Sequence, residues 1–198
     1  MDKKQLNGKD LLLSILYSPG QKAEINESII GRTKLTKIIF LFEKEIYNQF
    51  FKDEIDIKLP EFKPYYFGPF SEELISDLSF FLAIGMIKTT ITTIPLSPID
   101  DVENEAICDY NENDEWMEAS LNQIEKFELE YSLTSCGLKY VEDKIWGLFT
   151  SHQIEKLKSF KSQINKLSLD SLLRYVYIKY PEETKESLIA KKYLKFEE

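Results

Sequence analysis

The chain has 198 residues, of which 43% are hydrophobic and 13% aromatic, so it can build one core and is not a disordered protein. It has no apolar run of about eighteen residues, and its first apolar stretch is too short and interrupted for a signal peptide, so we expect a cytoplasmic protein that contacts no membrane. Two cysteines and one histidine are too few for a usual structural zinc site, and we expect no metal and no cofactor.

The net charge is −9, and its distribution matters more than its sum. One segment carries as many carboxylates as the whole net charge, without any Lys or Arg between them. Its acidic residues are Asp100, Asp101, Glu103, Glu105, Asp109, Glu112, Asp114, Glu115 and Glu118. Because the rest of the chain is balanced on average, it can still carry a locally basic binding face.

Apolar spacing predicts helices in the first half of the chain. One helix is expected over 8–18, and a second runs from Thr33, its predicted N-cap, to about Phe50. Ser71 is expected to cap a further helix, which Gly85 ends.

Alternating residues then predict strands over 86–94 and 127–134, with the acidic segment inserted between them at about 95–126. Thr134 is expected to cap the next helix. The remaining helices are predicted around 152–166, from Ser168 to Tyr180, and from Pro181 onward.

Three helices followed by two strands is the order of a winged helix. We therefore predict an α+β fold that is mostly α. Residues 1–150 form a winged-helix-like domain with a two-stranded wing and the acidic insertion, and residues 151–198 form a C-terminal helical extension packed on it.

A basic cluster opens the second helix. Arg32, Lys34 and Lys37 lie in its first turns, where positive charge opposes the helix dipole. This placement indicates a role other than stability, although basic residues on a solvated face are the more ordinary explanation.

A segment rich in aromatic residues, 62–71, follows that helix, and we call it the aromatic turn. Its two prolines and one glycine exclude a long helix there. Aromatic side chains in such a turn belong to the core more often than to a binding surface. We nevertheless predict a partner-binding surface made by the basic cluster and this turn, comprising Arg32, Lys34, Lys37, Tyr66, Phe67, Gly68 and Phe70.

The helix over 71–84 would enter the major groove if the winged helix bound DNA in the usual way. It contains Glu72, Glu73 and Asp77 and no Lys or Arg, so it would be repelled by phosphates. DNA could still be contacted by the basic cluster or by scattered C-terminal lysines. Those lysines are Lys156, Lys158 and Lys161.

The sequence contains no convincing catalytic constellation. His152, the sole histidine, lies at a predicted helix start, where a surface position explains it. Neither a nucleophile elbow nor a phosphate-binding glycine loop is present, so we assign no catalytic residue and expect a protein that is not an enzyme.

Three stretches of the chain share a pattern with known proteins. They are Gly31-Arg32-Thr33-Lys34-Leu35-Thr36-Lys37-Ile38-Ile39-Phe40, Tyr66-Phe67-Gly68-Pro69-Phe70-Ser71 and Leu82-Ala83-Ile84-Gly85-Met86-Ile87. Together they resemble the bacterial Panacea domain, a group that includes SocA-like antitoxins and YwgA-type proteins. The ending, 173–182, is similar to that of the YwgA-type proteins. The resemblance implies an intracellular regulatory or antitoxin-like role through protein contacts, and it brings no catalytic residue. The acidic insertion departs from the family pattern.

These observations favour a regulatory protein-binding module whose partner is a toxin, effector or adaptor. One alternative is a DNA-binding transcriptional regulator that forms a homodimer through its C-terminal helices. Another is a nucleic-acid mimic, in which the acidic segment occupies the basic groove of a nuclease or other defence protein.

Overall fold

The computed structural model describes residues 3–95 and 125–194, and the acidic segment lies outside these ranges. The described chain is α+β and mostly helical, with little strand. Its strands are β1 (Lys4–Leu6), β2 (Ile29–Ile30), β3 (Ile55–Ile57), β4 (Ile87–Pro95) and β5 (Glu125–Leu133). Its α-helices are α1 (Gly8–Tyr17), α2 (Arg32–Leu41), α3 (Asn48–Phe50), α4 (Glu72–Ala83), α5 (Ser135–Tyr140), α6 (Ser151–Lys166), α7 (Leu169–Lys179) and α8 (Ala190–Tyr193).

The second helix begins at Arg32, so the predicted N-cap at Thr33 is wrong. Gly31 occupies the N-cap position with a φ of 83°, which glycine adopts without strain, and it supplies no side-chain cap. Its N–H donates to the carbonyl of Leu129, so the chain turns directly from β2 into α2. A π-helical stretch, Phe42–Tyr47, joins α2 to α3, and the predicted end near Phe50 is confirmed.

Two predicted caps are confirmed. The hydroxyl of Ser71 accepts the N–H of Leu74, and that of Thr134 accepts the N–H of Gly137. α5 continues through a π-helical stretch, Val141–Ile145, into a 3₁₀ turn, Trp146–Leu148.

The last predicted helix is wrong in its form. The segment Pro181–Thr184 is a single 3₁₀ turn, and only the four-residue α8 follows it. The chain between them leaves helical pairing because the N–H of Leu188 donates to the carbonyl of Tyr66 in the aromatic turn.

The main sheet has the strand order β2-β5-β4. β4 and β5 pair antiparallel along their whole length, from Ile87 opposite Leu133 to Pro95 opposite Glu125, as the predicted wing requires. β2 is a third strand that the sequence analysis did not identify as one, and it covers a short part of the other edge of β5. Elsewhere, β1 pairs with β3 in parallel.

One hydrophobic cluster runs through the described residues. α1 is its centre, since every residue from Leu11 to Tyr17 is buried. The helices after residue 150 contribute to the same cluster through fully buried side chains such as Leu157, Leu172 and Val176. The C-terminal helices are therefore part of the hydrophobic core.

Gly137 tests the packing of α5 against the sheet. A Cβ at Gly137 would overlap the carbonyl oxygen of Met86 and lie 3.3 Å from the Cβ of Leu133, at the end of the β4–β5 pair where α5 begins. We expect Gly137→Ala to lower the free energy of unfolding by about 1–3 kcal/mol, measured by urea denaturation. Gly147→Ala is the matched control, because a Cβ there meets nothing within 4 Å. Equal stability of the two variants would contradict this packing.

Candidate functional site

A cleft of about 100 Å³ lies between the start of α2 and the aromatic turn. We call it the α2–turn cleft. Its lining contains six of the seven predicted partner-binding residues, together with Thr33, Thr36, Tyr65 and Ile75. The six are Arg32, Lys37, Tyr66, Phe67, Gly68 and Phe70. The structure thus brings together residues that are about thirty positions or more apart in sequence, but it leaves Lys34 outside.

The aromatic turn is held by its own backbone. Lys63 and Phe70 exchange two N–H to carbonyl hydrogen bonds of 2.8 and 2.9 Å, which close the loop. At its tip, Gly68 has a φ of 81° and lies so close to Tyr177 of α7 that a Cβ would be 3.3 Å from that ring. The turn is therefore fixed against the C-terminal helices.

Stacked rings form one wall of the cleft. The ring of Tyr65 lies between those of Tyr66 and Phe70, with centroid distances of 4.4 and 5.0 Å. Tyr66 is 44% exposed, and its carbonyl accepts a hydrogen bond from the hydroxyl of Ser187. Tyr66 therefore presents an accessible aromatic face at the opening of the cleft.

Lys37 links the two walls. Its side chain is only 2% exposed, and its Nζ donates to the carbonyl oxygen of Pro69 at 2.8 Å. A buried ammonium needs such an acceptor, because its desolvation is otherwise very costly. Lys37 therefore positions the aromatic turn against α2.

Lys34 ties α2 to the end of α6. Its Nζ donates to the carbonyl oxygens of Asn165 and Leu167, which are among those that a helix end leaves unpaired. Burial lowers the pKa of Lys34, and the carboxylates of Glu27 and Glu128 oppose that shift. The ordinary expectation of a solvated basic face is thus wrong for Lys37, which is buried, whereas Lys34 is partly buried with its ammonium group held by these two carbonyl oxygens.

The unfavourable interaction between the basic cluster and the dipole of α2 is offset by a nearby carboxylate. A carboxylate oxygen of Glu128 on β5 lies where it would be 2.6 Å from a Cβ on Gly31, directly at the helix N-terminus. A negative charge there stabilises the helix. Arg32 is exposed and lies at the rim of the cleft, so it is the basic residue of the cluster that faces solvent.

Of the three C-terminal lysines, Lys161 is not available to contact DNA. Lys161 is fully buried, and its Nζ donates to the carbonyl oxygens of Leu16 and Ser18 at 2.8 and 2.7 Å. The ammonium of Lys156 lies 4.4 Å from the centre of the Phe50 ring. The proposed route through Lys161 is therefore excluded, because no phosphate can reach a buried ammonium.

The exposed face of α4 carries acidic and apolar side chains. Glu72 and Glu73 are exposed in its first turn, and Phe80 is 46% exposed further along. Lys9 of α1 lies over the Phe80 ring and pairs with Asp77 at 3.5 Å. This face has the wrong charge for a nucleic-acid backbone and suits a protein surface.

His152 is exposed at the start of α6, as predicted. Its ring meets that of Phe50 edge-on at 5.7 Å, and Thr150 and Gln153 form a capping box around this helix start. Within residues 3–95 and 125–194, no group of three His, Cys, Asp or Glu side chains could hold a metal ion. No helix in those ranges is both long and apolar enough to cross a bilayer.

One polar cluster escaped the sequence analysis. Glu45, in the π-helical stretch, accepts hydrogen bonds from Tyr175, Lys179 and Tyr180 at 2.7–2.9 Å. Burial alone would raise the pKa of Glu45, but these donors hold it below its ordinary value. No local sequence signal joins residues 130 or more positions apart, so only the fold identifies this link between the π-helical stretch and α7.

Comparison of the chain with protein-family models, with curated proteins and with solved structures finds no match.

Lys161 gives a pH-dependent test of the buried ammonium contacts. Burial lowers the pKa of Lys161 to about 7 from 10.5, while Glu27 opposes the shift. Between these values the unfolded chain binds more protons than the folded chain, so this group's contribution to stability rises with pH. We expect the wild type to gain about 2 kcal/mol relative to Lys161→Met from pH 7 to pH 9, measured by urea unfolding.

Lys158→Met is the matched control for that series, because Lys158 is exposed on the same helix. It should follow the wild type across the pH range. Parallel pH profiles for the wild type and Lys161→Met would show that the buried ammonium does not titrate in this window.

Proposed function

We propose that this protein is a non-enzymatic, antitoxin-like regulatory module that binds another protein at the α2–turn cleft. The observation that carries the proposal is that Arg32 and Lys37 of the basic cluster and the aromatic turn line one cleft. Arg32 is exposed and Tyr66 is 44% exposed, and both line the cleft.

The size of the cleft favours a protein partner over a metabolite. Pockets for small molecules usually measure about 300–1,000 Å³, whereas this cleft has about 100 Å³. It is large enough for one side chain of a docked surface. Arginine and tyrosine are also enriched among residues that dominate protein–protein affinity. A toxin, effector or adaptor that inserts a side chain beside Arg32 and Tyr66 fits these features.

We infer that the core is a winged helix. The order α1, β2, α2, α4, β4, β5 and the sheet order β2-β5-β4 support this inference. In such a domain α4 would be the helix presented to a ligand. Its exposed acidic and apolar side chains support protein binding and count against the alternative of a DNA-binding regulator.

The resemblance to the Panacea domain is part of the proposal. Its two most specific stretches are the basic start of α2 and the Tyr-Phe-Gly-Pro turn. Residues of both line the cleft, which supports a common role for them in binding a partner. A cytoplasmic regulatory role accords with that resemblance. The nucleic-acid mimic depends on residues 100–118, which lie outside the described residues, and it stays a prediction.

The cleft hypothesis predicts a mutation-sensitive protein partner. Tagged wild type, Arg32→Glu and Tyr66→Ala would be used to recover binding partners from the native host at low salt. We expect one stoichiometric protein with the wild type, no nucleic acid, and at least about a tenfold loss of affinity for each variant when the purified partner is titrated by calorimetry.

Lys158→Glu is the matched control, since it reverses an exposed charge on α6 far along the chain from the cleft residues. It should bind like the wild type. Recovery of DNA that dissociates as salt is raised would replace this proposal by the transcriptional regulator. A partner that binds both cleft variants normally would place the interface elsewhere.

A further inference from the structure

The outer edge of β4 is a strand edge without a partner among residues 3–95 and 125–194. β4 has nine residues, and Lys88 near its start is its one charged side chain. The opposite edge of the sheet differs, because β2 and the carboxamide of Asn26 bind the backbone of β5 between Leu129 and Leu133. A nine-residue edge with a single charge that no described residue pairs with is unusual, since it invites pairing with another strand.

The hydrogen-bond pattern identifies which groups face outward. The N–H of Thr134 donates to the carbonyl of Met86, and the N–H of Gly31 donates to the carbonyl of Leu129, so Leu129 directs its backbone away from β4. Ile91 lies opposite Leu129 and must therefore direct its own N–H and C=O to the free edge. By alternation, Thr89 and Thr93 do the same.

The sequence of this edge is symmetric about Ile91. The stretch Thr89-Thr90-Ile91-Thr92-Thr93 reads identically in both directions. We propose that two copies of the chain associate through antiparallel pairing of their β4 edges, with a two-fold axis at Ile91. The two sheets then join into one, in the order β2-β5-β4-β4-β5-β2.

In this register the outward backbone groups of residues 89, 91 and 93 all meet complementary ones. Ile91 faces Ile91 of the second copy, and Thr89 faces Thr93, each pair exchanging two N–H to carbonyl hydrogen bonds. Pro95 lacks an N–H, but it stands in an outward-facing position, so the pairing of β4 with β5 loses nothing.

The side chains favour the same pairing. Threonine lies opposite threonine, a favourable cross-strand combination, and Lys88 faces Ile94, so no like charges meet. Ile91 is 64% exposed and Leu129 beside it 43% exposed, on one face of the wing. Pairing gives an apolar row of these two residues from each copy, which removes part of that surface from water.

This dimer is independent of the proposed partner-binding cleft, which lies on α2 and the aromatic turn. It also differs from a homodimer built by the C-terminal helices. A second copy is favoured over a foreign strand because of the side chains. The symmetric edge places threonine opposite threonine and isoleucine opposite isoleucine when it pairs with itself.

Sedimentation velocity across micromolar to submillimolar concentrations tests the interface. We expect wild type to dimerise, and Ile91→Lys to be monomeric because two ammonium groups would meet at the axis. Thr89→Pro should raise the Kd at least about tenfold, since it removes outward hydrogen bonds but leaves the β5 ladder intact. Ile178→Lys, which changes an equally exposed isoleucine on α7, should dimerise like the wild type.

Cysteine cross-linking tests the register. In a background with Cys108 and Cys136 replaced by Ser, Ile91→Cys places two thiols on the axis, at about 5.5 Å between Cα atoms, within reach of a disulfide. Oxidation should give a covalent dimer. Thr89→Cys alone should not, because it faces Thr93, whereas a mixture of Thr89→Cys and Thr93→Cys chains should.

Three results would overturn the proposal. They are a monomeric wild type at every concentration, a dimer that Ile178→Lys disrupts as strongly as Ile91→Lys does, and cross-linking through Thr89→Cys alone that matches Ile91→Cys. A wild-type monomer whose β4 variants lose a recovered protein partner would assign the edge to a foreign strand instead.

Discussion

Buried or partly buried lysine side chains whose Nζ atoms donate to backbone carbonyl oxygens are the interaction on which this fold depends. Lys161 of α6 holds the end of α1, Lys34 of α2 holds the end of α6, and Lys37 of α2 holds the aromatic turn. Each contact joins segments far apart in sequence, and each satisfies acceptors that a helix end or a turn leaves open. Losing one of these contacts would leave a donor or its carbonyl oxygens unpaired, so α1, α2, α6 and the aromatic turn are fixed relative to one another.

This use of lysine determines which surfaces remain for binding. The ammonium groups of Lys34 and Lys37 are bound to backbone carbonyl oxygens, and the carboxylate of Glu128 lies at the N-terminus of α2, where it offsets the positive charge. Arg32 remains at the surface beside Tyr66, in a cleft whose other wall Lys37 has positioned. The exposed face of α4 is acidic and apolar. Together these surfaces favour protein recognition, because a nucleic acid needs accessible positive charge along a continuous face.

The cleft and the β4 edge serve different kinds of contact. The cleft offers side-chain recognition in a small concave site, while the edge offers backbone hydrogen bonds along a straight strand. They lie on separate elements, so the proposed β4 dimer and the proposed cleft interaction can be disrupted independently by mutation. A regulatory module that pairs with itself at one surface and with another protein at a second would present two copies of its cleft to its partner.

The sequence by itself determined the mostly helical α+β class, the caps at Ser71 and Thr134, and the two strands that pair as β4 and β5, because these follow from local spacing and cap chemistry. It also grouped the basic cluster with the aromatic turn. Only the tertiary structure decided that Lys37 and Lys161 are buried, that β2 joins the sheet, and that Glu45 holds α7. Local patterns assign lysine to the surface because a buried charge is costly, and the acceptors that offset that cost come from distant segments. Such partners exist only once the chain has folded.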